Sequence, residues 1–342
     1  MNNETEMIPT SAQQFELWVD GPVPRPGPLP AHEAIRDDLW AVTVPFQHPY
    51  ILYTLSYVVV DSHGKPHIID PGYDSDENWN EFRSALRTIG VSEDDVGSIT
   101  VTHAHPDHFG LAERFAEVSG APIVIHGREL AGAEDRVASA DRWGTDALED
   151  WGVPLDRRSE LVMDTAVEPL LTASRGDVLM NDGLRLDIPG WNLTVVHTPG
   201  HTAGHVVLYE PDRQLLFTGD HVLPNMHPGL GLGARTPSNP LTDYLDSLAR
   251  MRELGGDDIE VLPGHGYRFR GLQVRVDEMM EHRDRRSREV VEVLEKNPAA
   301  STWDVASQLT WTAGWENLKA MDLASALSQA SMHYRHVKEG HL

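Results

Sequence analysis

The run Thr102-His-Ala-His-Pro-Asp-His108 constrains this chain more than any other stretch. The β-branched segment Ile99–Val101 leads into it as a short strand, and Leu111–Val118 leads out as a helix. Three imidazoles and one carboxylate therefore crowd a single strand-to-helix turn. Both group types are good ligands for zinc and similar divalent ions. A histidine standing alone in such a chain reads as a surface residue or a satisfied core residue. Four ligand-type residues between His103 and His108 do not.

Composition narrows the chemistry further. The chain has 342 residues and no cysteine. Thiolate nucleophiles, disulfides and Cys-ligated zinc or iron–sulfur sites are thus excluded, and any metal must be held by His, Asp or Glu. No Gly-x-Ser-x-Gly elbow is present. The net charge of -25 opposes a nucleic-acid partner, which calls for a basic face. Arg283, Arg285, Arg286 and Arg288 do cluster, but Glu281, Asp284 and Glu289 interleave with them, the pattern of a solvated helix face with ion pairs. No stretch reaches the roughly 18 apolar residues of a membrane span. The first thirty residues hold no apolar run of signal-peptide type. These features lead us to expect a cytoplasmic protein without a membrane partner.

Residues 1–38 read as an N-terminal arm, with the proline-rich stretch 21–30 extended. Strand patterns follow at Leu39–Phe46, Ile51–Val60 and His67–Ile69, with a hairpin turn at Asp61-Ser-His-Gly64. Trp79–Ile89 carries the spacing of a half-buried helix closed by Gly90. Residues 128–172 read as mostly helical. A second strand-rich half comprises Leu184–Ile188, Leu193–His197, Val206–Tyr209, Leu215–Thr218 and Ile259–Leu262. Asn239 or Thr242 is placed to cap the helix that runs to Leu254. From 271 to 342 the sequence is helical and charged. Two βα-containing halves predict an α/β fold: two sheets face to face with helices outside, a four-layer αββα sandwich spanning 39–270, with a C-terminal helical extension.

Three further segments end a strand in a small-residue turn beside a ligand-type side chain. They are Val195-Val-His-Thr-Pro-Gly-His201, Leu216-Phe-Thr-Gly-Asp220 and Val261-Leu-Pro-Gly-His265. Gly219 and Gly264 allow tight backbone turns there. Each alone is an ordinary turn; four in one chain point to a metal site.

With these motifs in this order, the stretch from about Leu39 to Gly266 resembles the metallo-β-lactamase superfamily in its binuclear, glyoxalase II-like form. The resemblance implies that His103, His105 and His201 hold one metal ion and that Asp107, His108 and His265 hold a second, with Asp220 bridging. Asp70 would support the ligands, and His205 would support rather than bind. The tail resembles a winged-helix-like extension found on some of these hydrolases. The implied chemistry is hydrolysis by a metal-bridging hydroxide, with Asp107 also relaying a proton and His221 as a second catalytic candidate. Two divalent ions are expected, zinc first, with manganese or iron as alternatives.

The substrate is read from outside the motifs. Met226, Leu230 and Leu232 make the 222–240 loop apolar, and Gly229, Gly231 and Gly233 give it freedom to move. Trp143, Trp151 and Met163 read as core. His48, His227 and Tyr267 are further polar candidates. A small-molecule ester, lactone or thioester is the expected substrate. A phosphodiesterase or nuclease, and an iron-dependent oxidoreductase, are the alternatives on this fold. A homodimer is expected because twofold assemblies are common.

Overall fold

A computed structural model describes residues 29–30, 32–46, 51–131, 145–161, 173–233, 236–256 and 258–342. Its first sheet has seven strands in sequence order: β1 (Glu33–Arg36), β2 (Leu39–Pro45), β3 (Tyr53–Val60), β4 (Pro66–Ile69), β5 (Ile99–Thr100), β6 (Ile123–His126) and β7 (Val178–Met180). The first four pair antiparallel, and β4 through β7 pair parallel. The parallel steps are crossed by α1 (Asp76–Ile89), α2 (Pro106–Phe109) and α3 (Ala112–Ser119). The second sheet runs β11 (Glu260–Pro263), β10 (Leu215–Gly219), β9 (Val206–Glu210), β8 (Thr194–His197). The remaining helices are α4 (Thr145–Asp150), α5 (Pro240–Leu254), α6 (Leu272–Lys296), α7 (Thr302–Ala306) and α8 (Ala320–Lys338).

The layers follow from alternation along the strands. Tyr57, Val59 and Ile69 of the first sheet face Val195, Val206, Leu208 and Phe217 of the second in one core. On the other face Val58, Ile68, Ile99 and Ile123 pack on Phe82, Leu86 and Phe115 of α1 and α3. The outer face of the second sheet, Val196, Val207, Leu216 and Val261, packs on Leu241, Tyr244 and Leu248 of α5 and on Leu272, Val276 and Met279 of α6. The result is the expected αββα sandwich. Residues 271–342 form three α-helices and a 3-10 turn at Trp315–Asn317 with no strand among them, and α6 itself contributes to the outer layer. Packing therefore continues without a break through Gly271. Trp151 is core, buried with Val290, Leu294 and Trp303.

Local signals explain most boundaries. Ser75 caps α1 by accepting from Asn78 N, and Gly90 ends it in the left-handed conformation at φ 90. Asn239, not Thr242, caps α5. The expected hairpin closes through Asp61 and Lys65. Other expectations are corrected. The first sheet starts at Glu33, inside the stretch assigned to the arm. Leu184–Ile188 pairs only briefly: Val195 N donates to the Leu184 carbonyl and Leu186 N to the Leu193 carbonyl around a single Arg185–Thr194 bridge, and the turn at Ile188–Trp191 ends the pairing before a full strand forms. The arginine cluster is divided. Arg286 pairs with Glu289 and Arg288 with Glu281, as a solvated face would, but Arg283 is buried. Trp143, Met163, His48 and most of 128–172 lie outside the described residues; of that last stretch, 127–131, α4 and a 3-10 turn at Arg158–Leu161 are helical. Among the described residues no helix is long and apolar enough to cross a membrane.

Candidate metal centre

The ligand-type residues gather at one end of the sandwich, where strands of both sheets terminate. His103, His105, Asp107 and His108 follow β5, His201 lies between β8 and β9, Asp220 follows β10, and His265 follows β11. They form two buried groups. One is His103, His105, His201 and Asp220; the other is Asp107, His108 and His265. Within each group the ligand atoms lie within 4.8 Å of one another. In the first, His105 Nδ1 lies 2.9 Å from His103 Nε2 and 3.1 Å from His201 Nε2. In the second, His265 Nε2 lies 3.3 Å from both His108 Nε2 and Asp107 Oδ2. Asp220 stands between them. Its Oδ2 is 3.6 Å from His201 Nε2, while Oδ1 is 3.2 Å from His265 Nε2 and 3.4 Å from His108 Nε2.

The outward nitrogens decide which atom of each ring is free to bind. His201 Nδ1 lies 2.7 Å from the Gly229 carbonyl, His105 Nε2 3.1 Å from the Leu232 carbonyl, and His265 Nδ1 2.8 Å from the Tyr53 carbonyl. A carbonyl only accepts, so each of these nitrogens carries a proton and leaves the other ring nitrogen as the one that can bind a cation. His108 Nδ1 donates to Asp70 Oδ2 at 2.9 Å. Thr102 Oγ1 gives its one proton to Asp70 Oδ2 at 2.7 Å, so His103 Nδ1 donates to Thr102 Oγ1 at 3.1 Å. All five imidazoles thus turn one nitrogen inward, His105 its Nδ1 and the others their Nε2. Carbonyl or carboxylate partners of this kind fix ring orientation in metal sites.

Asp70 is the hub of this support. It also accepts from Thr102 N at 2.7 Å, and it sits at φ 52, a left-handed conformation uncommon outside glycine but tolerated by aspartate. His205 is support as well: its Nε2 accepts from Asp220 N at 3.1 Å, so it faces the backbone of a ligand instead of joining either group. Gly219 and Gly264 are needed for close approach. A Cβ on Gly219 would lie 2.6 Å from Thr102 Oγ1, and one on Gly264 would lie 2.8 Å from Asp220 Oδ1.

The donor set fits two cations. Asp220 Oδ1 is buried without a hydrogen bond despite two imidazole nitrogens nearby. Burial favours neutral Asp107, but His108 and His265 overcome it and hold the carboxyl at about 2. Burial likewise opposes charge on His265, yet Asp220 and Asp107 lift it to about 10. His103, with burial and neighbouring imidazoles both against its charge, is held well below the usual histidine range. The carboxylates thus supply negative potential that the imidazoles cannot all answer with protons.

His221 joins neither group. Its ring is fully buried, 5.0 Å from Tyr244 and 5.9 Å from His205 between centroids, and both ring nitrogens lack hydrogen bonds. His227 stacks on His282, and Tyr267 is half-buried beside Gly266. In the 222–233 loop Leu230 belongs to the core, while Met226 and Leu232 are half-buried.

One residue of the site escaped sequence reasoning. Glu129, in the helical turn after β6, is buried and accepts from Ala104 N at 2.8 Å, Thr202 Oγ1 at 2.7 Å and Gly204 N at 2.7 Å. It ties the His103–His105 turn to the His201 turn. No local signal marked it, since Arg128 precedes it and its three partners lie far away in the chain.

A family profile described as Metallo-beta-lactamase superfamily matches residues 50–265, more than half of the chain. The chain belongs to this superfamily, and it is a metal-dependent hydrolase of that fold. Among curated proteins it is 25% identical over 268 residues to the Beta-lactamase-like protein 2 homolog of Caenorhabditis elegans, covering 78% of this chain and 74% of the relative. It is 27% identical over 251 residues to the probable metallo-hydrolase YqjP of Bacillus subtilis (strain 168), covering 71% and 76%. A shorter match, 32% over 166 residues, covers 48% of this chain and 54% of the acyl-coenzyme A thioesterase MBLAC2 of Bos taurus. In solved structures the fold is matched by a beta-lactamase domain protein from Burkholderia ambifaria, with TM-score 0.73 and 24% identity over 90% of this chain and 89% of that one.

Proposed function

We propose that this protein hydrolyses a small-molecule ester, lactone or thioester, with thioesters first among them, at a centre of two divalent ions. The observation that carries this reading is Asp220, whose two oxygens face the two ligand groups separately. His103, His105 and His201 would hold one ion, Asp107, His108 and His265 the other, with Asp220 shared. When bound, such a pair of ions lowers the pKa of water and polarises the substrate oxygen. The chain supplies the rest. Asp107, ionised and buried at the edge of the second group, is placed to take the proton of the attacking water. Met226 and Leu232 offer an apolar rim to an acyl group. His221, expected as a second catalytic residue, would act instead as a buried support next to Asp220, its ring packed against Tyr244 and away from both ligand groups.

The thioester preference is supported by the relative named an acyl-coenzyme A thioesterase. The charge of -25 supports a small molecule over a nucleic acid. We extend the proposal to zinc as the metal and to a cytoplasmic homodimer. The test is a panel of thioesters, lactones, aryl esters, β-lactams and phosphodiesters offered to the zinc- and manganese-loaded protein. Thioester or ester cleavage that disappears in folded His105→Ala supports the reading. Cleavage of phosphodiesters alone, or unchanged turnover in that variant, refutes it.

A further inference from the structure

The loop after Asp220 is fastened to the C-terminal helix α6. Arg275 Nε donates to the Leu223 carbonyl at 2.7 Å, and its Nη2 donates to the Met226 carbonyl at 2.8 Å. Arg283 Nη2 donates to the Pro228 carbonyl at 2.6 Å. The His227 and His282 rings stack between these points, with centroids 3.8 Å apart and planes 11° from parallel. Arg283 is 5% exposed and has no carboxylate partner among the described residues. Its guanidinium sits 5.5 Å from the centroid of the Tyr244 ring, and its Nε is left without a hydrogen bond. A buried cation without an anion is costly, and an apolar side chain would fill that place at less expense. What the arginine does there is hold a carbonyl.

That carbonyl is one residue from the site. The next one, Gly229 O, accepts from His201 Nδ1, and Leu232 O accepts from His105 Nε2. The loop is also laid against the His201 turn, with Leu232 N donating to His201 O and Gly231 N to Gly200 O, each at 2.8 Å. Two of the three histidines in the first group thus take their orientation from this loop. The two histidines of the second group take theirs from Asp70, just past the end of β4, and from the Tyr53 carbonyl on β3.

We propose that Arg283, with Arg275 beside it, is a positioning residue of the metal centre: from the C-terminal helix it sets the loop carbonyls that turn His201 and His105 inward. The C-terminal helices are then part of the catalytic unit, and they act on one ion and not the other. This inference rests on the two-ion centre proposed above, and the two can fail separately.

The experiment uses the full chain, metal-stripped and titrated with Zn(II) against a chromophoric chelator, then with Co(II) followed by its visible spectrum. The wild type should bind two ions; fewer refutes the centre itself. Arg283→Met should bind one ion about tenfold more weakly, the lower end of what loss of a ligand's support costs, with the other ion unchanged. Arg283→Lys, which keeps a donor and the charge, should recover part of that loss. Arg288→Met, on the same helix but paired with Glu281 at the surface, should bind both ions as the wild type does. Two ions bound with wild-type affinity in folded Arg283→Met, or both weakened alike, overturns the role of Arg283. Should Arg283→Met not fold by circular dichroism, Arg275→Gln answers the same question with the same two readings.

Discussion

Replacing Glu129 by Gln tests whether the metal centre is held by its second sphere of backbone contacts as well as by its ligands. The carboxylate satisfies three donors with two oxygens: Oε2 takes Ala104 N, and Oε1 takes Thr202 Oγ1 and Gly204 N. Glutamine has one oxygen. The orientation that keeps two bonds turns its amide NH2 against the Ala104 N–H, donor to donor. The loss is one hydrogen bond to a charged acceptor, ~1.5–3 kcal/mol, with a buried N–H left unpaired. Relief of burial works the other way, since burial pushes the Glu129 carboxyl pKa up despite its three donors. The expected net destabilisation is about 2 kcal/mol, read from urea unfolding of the metal-free protein. Ala104 lies between His103 and His105, so the same substitution should weaken binding of one ion by about 10- to 100-fold in chelator competition. Pairing it with Thr202→Val in a double-mutant cycle should give a coupling on the order of 0.5–3 kcal/mol. An unchanged urea midpoint together with unchanged metal affinity would refute the argument that Glu129 joins the two turns.

Three other substitutions have definite expected outcomes. Asp70→Asn keeps the left-handed backbone but offers an amide where His108 Nδ1 needs an acceptor; the second ion should bind about 10- to 100-fold more weakly, measured by metal titration. Gly200→Ala places a Cβ 2.5 Å from that of Tyr244 at φ 141, and thermal melting should show a loss of about 1–3 kcal/mol. His126 stacks on His197 across the two sheets, with centroids 4.5 Å apart, and burial, His197 and Arg128 press its pKa down to about 4. Its folded pKa is below that of the unfolded chain, so its contribution is full above the ordinary value near 6.5 and is lost as pH falls toward 4. His126→Asn should therefore flatten the fall in melting temperature over that window; an unaltered slope would show that the stack does not carry it.

The ligands were legible because each sits in a short local motif, and Gly219 and Gly264 mark the close approaches by their own identity. Strands buried on both faces, such as Tyr53–Val60, were legible for the same reason: their pattern is continuous. β1 was missed because Glu33-Ala-Ile-Arg36 carries charges at both ends, and only pairing with β2 makes it a strand. Leu184–Ile188 has the composition of a strand and begins to pair with the residues before Val196, but the turn at Ile188–Trp191 cuts that pairing short. Glu129 could not be read because its partners, Ala104, Thr202 and Gly204, are distant in sequence and two of the three contacts are to backbone. Arg283 was hidden by charged neighbours, although Val276, Met279, Arg283, Ser287 and Val290 fall on one buried helical stripe. The spacing held the information that the composition obscured.

In the proposed centre each ion would draw ligands from both sheets: His103 and His105 against His201 for one, Asp107 and His108 against His265 for the other, with Asp220 shared. A bound ion would therefore add a cross-link between two halves of the chain already joined by an apolar core and by hydrogen bonds such as Leu55 N to the Gly264 carbonyl and Tyr57 Oη to the Pro263 carbonyl. Ligands that bind only the folded state stabilise it by mass action, about 2.7 kcal/mol at a free concentration one hundred times the dissociation constant. At such a centre the metal would hold the two sheets together as well as supply the chemistry.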